Sequence, residues 1–110
     1  HAFAGLSFAF RFNRNLRIHF FIGTCVAIAS VFFQVNPFEM GILGITILLV
    51  IVSEMLNTSI EEMVNFVTRE HKREAKIAKD VAAGMVLVCS IGSVIIGILI
   101  FLPHILHIIR

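Results

Sequence analysis

Apolar and polar positions alternate along this chain in long blocks, not short strands. Residues 1–15 place Phe3, Leu6 and Phe10 at helical spacing, with Arg11 and Arg14 toward the end. That pattern predicts an amphipathic helix lying on a membrane surface. A first apolar block covers residues 18–35, which is 18 residues and close to the ~20 needed to cross a ~30 Å hydrocarbon core. Asn36 and Pro37 then read as a turn and helix start, with Asn capping and Pro at the first helical position. A second helix is predicted over 38–66, apolar through Val52 and then carrying Glu54, Asn57, Glu61 and Asn65. Residues 68–80 form a polar, basic connection. A third span, 81–102, is 22 residues long and is expected to stop at Pro103. Along it Cys89, Ser93 and Gly97 recur every four residues, a stripe that lets helices approach closely. The predicted fold is all-α and integral to the membrane, one domain over 1–110.

Composition makes the membrane reading firm. Hydrophobic residues are 58% and charged residues 15% of the 110, and the mean hydropathy is +0.97. With glycine included the apolar share is about 65%, against roughly 45–50% for soluble domains. A soluble core of this size cannot hide that much apolar surface, and a disordered chain does not carry it. A net charge of +2 is too small for a nucleic-acid binder. Cys25 and Cys89 lie inside apolar runs without a CxxC pattern and are expected to be small buried hydrophobes. The chain starts at His1 without an initiator Met and is expected to be trimmed there. No small-residue cleavage site follows an apolar core, so a signal peptide is not expected.

The basic residues set an orientation. Arg11, Arg14, Arg17, Arg69, Lys72, Arg73, Lys76 and Lys79 fall in two stretches that three spans place on one side, and only Arg110 falls on the other. The positive-inside rule predicts a cytoplasmic amino terminus and an external carboxyl terminus.

Glu54 is the most informative residue. It follows the apolar run 41–52, roughly 20 Å into its helix at ~1.5 Å per residue. An ionisable group at that depth is costly and marks a functional site by default. At about 100° per residue, Glu54, Asn57, Thr58, Glu61 and Asn65 share one face, while Glu62 points aside. Glu54 and Glu61 stand roughly 10 Å apart along the axis. They are too far apart to share a proton. The spacing suits one carboxylate acting on a substrate hydroxyl while the other holds a metal and a polyphosphate. The bland alternative is a polar packing face, or a helix end already among the headgroups. Lys79 and Asp80, just before the third span, would supply a cation and a second anion near Glu61 for a phosphate and metal site.

The run Glu54-Met-Leu-Asn57-Thr-Ser-Ile-Glu61-Glu-Met-Val-Asn65, followed by Ala75-Lys-Ile-Ala-Lys79-Asp80-Val-Ala-Ala-Gly, resembles the prokaryotic diacylglycerol kinase and undecaprenol kinase family. The stretch Asn13-Arg-Asn-Leu-Arg-Ile-His19 resembles the undecaprenol-kinase-like branch, and the similarity covers nearly the whole chain. The resemblance implies a homotrimeric membrane lipid kinase of the bacterial inner membrane, with active sites shared between protomers. It would move the γ-phosphoryl of MgATP to a lipid hydroxyl at the cytoplasmic face. By position Glu54 matches the family's general base and Asn57 its motif neighbour. Glu61 matches a metal-binding glutamate that also serves ATP, Lys79 and Asp80 match ATP-contacting residues, and Glu70, His71 and Lys72 align with the nucleotide loop. Two positions depart from the pattern. Asn13 stands where the family has a second metal-binding Glu, and Asn65 where it has an Asp. Asn can still offer Mg²⁺ a carbonyl oxygen, without charge. Undecaprenol is the expected acceptor and diacylglycerol the alternative.

Other features carry less. Gly92 and Gly97 have no Lys-Ser/Thr after them and lie within a span, so they form no P-loop. His19 is expected to be an interfacial side chain beside Arg17. His104 and His107 are expected to face outward beyond Pro103, where an i,i+3 pair could hold a metal. The eleven Phe read as lipid-facing and core filler. A small multidrug-type transporter also has an intramembrane Glu, but it needs four spans and usually a Trp; here there are three spans and no Trp. A non-enzymatic membrane subunit would gain nothing from the Glu54, Asn57 and Glu61 face. ATP consumption with and without a long-chain prenol separates these readings.

Overall fold

The computed structural model describes all 110 residues. Four helices account for nearly the whole chain: α1 (Ala2–Phe12), α2 (Arg14–Phe32), α3 (Pro37–Val67) and α4 (Arg73–Ile109). The last three are long and apolar enough to cross a membrane. α3 is the central element, packed between α2 and α4, and α1 leans on α2.

The first helix ends earlier than its apolar spacing predicts. Asn13 is extended (φ −115°, ψ 103°) and separates α1 from α2, so the two helices meet at one residue and no linker runs to residue 18. Two side chains fix the break. Asn13 Oδ1 accepts the Leu16 N–H at 3.1 Å, an N-cap for α2. The Arg17 guanidinium donates to the carbonyls of Phe10 and Arg11 at 2.9 and 2.8 Å, satisfying acceptors that the end of α1 leaves open.

α2 stops at Phe32 and does not reach Val35 as an apolar helix. Gln34 turns left-handed (φ 55°), its N–H reaching Val31 O and the Val35 N–H reaching Ser30 O. That pair of bonds is a Schellman ending, and it drops Val35 into contact with Leu43 and Ile100. Asn36 and Glu39 then form a reciprocal capping box with Pro37 in the first turn of α3, as the Asn-Pro pair predicts.

Two further expectations are corrected in α4. The connection after α3 is only residues 68–72, so residues 73–80 are the first two turns of the last helix. Pro103 does not stop it, because the helix runs on to Ile109. A proline deletes one backbone donor, and ending the helix would instead strand several carbonyls beside Ile105, Leu106, Ile108 and Ile109. His104, one residue on, does not face outward as half of a metal pair. Its Nε2 lies 3.2 Å from Glu39 Oε1 and joins the end of α4 to the start of α3.

Only 13 of the 110 residues are buried within the chain, so most apolar side chains are on the outside of the helices. Phe21, Ile28, Leu48, Val88 and Leu99 are among them, and Cys25 is exposed, contrary to expectation, and free. An outer surface of that kind belongs in lipid or against other apolar helices. The interior is two small clusters, one near each end. Ala9, Leu16 and Ile51 pin the α1–α2 junction to α3, and Val35, Leu43 and Ile100 close the opposite end. The first cluster lies one turn of α3 before Glu54.

Candidate active site

Glu54 is 2% exposed, the least accessible charged side chain in the chain. Its neighbours come from the α1–α2 junction and from its own helix. Asn13 Nδ2 donates to Glu54 Oε1 at 3.0 Å and to Thr58 Oγ1 at 2.5 Å, and the Thr58 hydroxyl donates to the Glu54 carbonyl at 3.1 Å. His19 Nε2 stands 3.9 Å from Glu54 Oε2. One turn further along α3, Asn57 Nδ2 donates to Glu61 Oε1 at 3.3 Å, while the Asn57 Oδ1 is buried without a hydrogen-bond partner.

All of these groups except His19 line a polar recess of about 240 Å³. Phe8 and Phe12 of α1 form one wall and Asn13, Arg14 and Asn15 the rim, with Glu54, Asn57, Thr58, Glu61 and Glu62 on the α3 side. Glu62 therefore joins the recess, where helical periodicity had it pointing aside.

The other expected residues gather elsewhere. Glu70, His71, Lys72, Lys79 and Asp80 line a second recess with Asn65 and Lys76, between the end of α3, the 68–72 connection and the start of α4. Lys79 Nζ donates to Asn65 Oδ1 at 2.6 Å, one turn beyond Glu61. Asp80 accepts from Lys76 at 2.5 Å, and that hydrogen bond and the aspartate charge hold the Lys76 ammonium above the ordinary lysine range. Within one chain, then, the carboxylate pair and the basic cluster occupy successive recesses along the same helix.

The donor chemistry suits a hard cation. Glu61 offers an exposed carboxylate and Asn57 a free carbonyl oxygen, although no three His, Cys, Asp or Glu side chains cluster in the chain. Mg²⁺ takes one or two carboxylates and completes its shell with phosphates and water. These residues fit it.

His19 is the residue that sequence reasoning undervalued. Counted outward from the turn at 33–36, its level on α2 is roughly 21 Å away and that of Glu54 on α3 roughly 27 Å. In an antiparallel pair those levels nearly coincide, so the meeting of the two was a legible signal.

Residues 1–101 match the family described as prokaryotic diacylglycerol kinase. A diacylglycerol kinase of Synechocystis sp. is 41% identical over 107 residues, 96% of this chain. An undecaprenol kinase of Bacillus subtilis is 39% identical over 103 residues, 94% of this chain. The aligned region spans 61% of the length of the first relative and 84% of the second.

Proposed function

Because the chain belongs to the prokaryotic diacylglycerol kinase family, we propose that it transfers the γ-phosphoryl group of ATP to a lipid hydroxyl at the membrane interface. The acceptor in this reading is undecaprenol, supported by the similarity of residues 13–19 to that branch and by the fuller coverage of the undecaprenol kinase. The observation that carries the reading is Glu54, a buried carboxylate facing a polar recess on a helix that is otherwise apolar for 41–52.

A lipid hydroxyl is a weak nucleophile, and phosphoryl transfer requires alignment, charge neutralisation and an acceptor for the hydroxyl proton. Glu54 Oε2, the carboxylate oxygen that Asn13 leaves free, takes that proton. Asn57 orients Glu61 through its amide, and the two present oxygen donors on the nucleotide side. Bound Mg²⁺ would be held by Glu61 and the Asn57 carbonyl, and there it supplies neutralisation of the phosphate charge. Lys79, with Lys72 and His71 in the adjacent recess, attracts the outer phosphates, and Glu70 and Asp80 border the nucleotide.

One chain leaves both recesses open at the side, and three thin helices cannot enclose ATP, metal and lipid together. A homotrimer with each site completed by a neighbour answers this. The basic residues near α1 and between α3 and α4 support a cytoplasmic amino terminus in a bacterial inner membrane, where ATP is available.

The test is radiolabel transfer from γ-labelled ATP by the full chain in lipid bilayers containing undecaprenol or a dioleoylglycerol. Label is expected on undecaprenol. Label on the glyceride alone would move the assignment to diacylglycerol, and label on neither would remove the kinase reading.

A further inference from the structure

Asn13 makes more directed bonds than any other side chain near the site. Its Oδ1 accepts the backbone N–H of Leu16, and its Nδ2 donates to both Glu54 Oε1 and Thr58 Oγ1. A backbone N–H can only donate, so the carbonyl of this amide must face α2 and the NH₂ must face α3. Both amide hydrogens are then spent, one on each α3 acceptor. Thr58 closes the ring by donating to the Glu54 backbone carbonyl.

We propose that Asn13 is a positioning residue for Glu54. It ties up Oε1 and thereby aims Oε2 at the lipid hydroxyl, and it makes the docking of the α1–α2 junction a condition for a correctly aimed carboxylate. This rests on the reading of Glu54 as the hydroxyl's proton acceptor. The residue type is specific to the task. Among the side chains that cap helices well, Ser, Thr, Asp and Asn, only Asn also carries an N–H₂ able to grip a carboxylate. A carboxylate here, as the resemblance leads one to expect, has no hydrogen to give and would need a cation between itself and Glu54. Asn13 needs none. It acts on Glu54 directly and not as a ligand of the metal.

Asn13→Ser keeps the cap acceptor and removes the grip. With the full chain in bilayers, kcat for lipid phosphorylation is expected to fall by about 10- to 100-fold, the usual effect of a misplaced catalytic group. KM for ATP, the Mg²⁺ concentration for half-maximal rate and the binding of Mn²⁺ alone are expected to stay as in the wild type, while the melting temperature in detergent falls modestly because the buried Glu54 carboxylate loses a donor. The isosteric Asn13→Asp, which also keeps the cap, is expected to lose at least as much at low Mg²⁺, where no cation bridges the two carboxylates; it carries the test if the serine variant does not assemble, and wild-type kcat there would overturn the proposal. A serine variant with wild-type kcat would overturn the proposal. So would a serine-variant rate that high Mg²⁺ restores, or weakened Mn²⁺ binding by that variant, because either makes Asn13 a metal ligand. A wild type that phosphorylates neither lipid removes the proposed function itself, a failure distinct from an active wild type whose position 13 is indifferent.

Discussion

His19 Nε2 faces Glu54 Oε2 at 3.9 Å, on the side of the carboxylate opposite the amide of Asn13. The imidazole comes from the second turn of α2 and also borders an apolar groove between α2, α3 and α4 that includes Val50 and Gly97. His19→Ala is expected to lower kcat by about tenfold, since the free oxygen loses its polar neighbour. His19→Gln, whose amide still presents a donor, is expected to retain most of the rate. Initial rates at saturating ATP and lipid distinguish the two, and equal activity in both variants would leave His19 a packing residue.

Glu54→Gln keeps both the shape and the bond from Asn13, because the glutamine carbonyl can accept where Oε1 does. It removes the proton acceptor. Lipid phosphorylation is expected to drop by about 10²–10⁴-fold. Binding of a non-hydrolysable ATP analogue should persist, since the nucleotide is assigned to the outer recess. Near-normal turnover would return Glu54 to a structural role.

Glu61→Gln is expected to act differently. Glu61 is exposed and one turn beyond Asn57, whose amide contacts its Oε1. Loss of its charge weakens the oxygen set offered to Mg²⁺. The half-saturating Mg²⁺ concentration should rise by about tenfold or more, with part of the rate recovered at high Mg²⁺. A Mg²⁺ titration of initial rate checks this, and an unshifted curve would take Glu61 out of the metal site.

Gly23 is buried where α2 packs against Ile47 of α3. A Cβ there would lie 2.8 Å from Ile47 Cγ2, on a β-branched side chain with little freedom to turn away. Gly23→Ala is expected to destabilise the helix pair by about 1–3 kcal/mol. Because His19 lies one turn away on α2, the His19–Glu54 spacing should widen as well, so a lower melting temperature in detergent should be accompanied by reduced kcat.

Orientation is open to direct labelling. With Cys25 and Cys89 replaced, a single cysteine near His107 should react with an impermeant thiol reagent added to intact cells, and one near Arg73 should not. The reverse pattern would put the basic connection on the side without ATP.

The local pattern determined three apolar helices, their order, the turn capped by Asn36 and the polar face from Glu54 to Asn65. Each of these depends on residues within a few turns of one another, and helical periodicity and capping act at that range. The tertiary structure decided what those faces meet. Asn13 grips Glu54 across 41 positions of sequence, and His104 reaches Glu39 across 65. Such pairs follow from the relative axial placement of packed helices, which is set by contacts like Gly23 on Ile47. The same reason explains the breaks. Asn13 ends α1 because its side chain finds partners on α2 and α3, and Pro103 fails to end α4 because the apolar chain beyond it has nowhere better to satisfy its carbonyls. In an apolar surrounding hydrophobicity hardly distinguishes a lipid-facing side from a helix-facing side, so sequence marked the buried carboxylate while packing chose its neighbours.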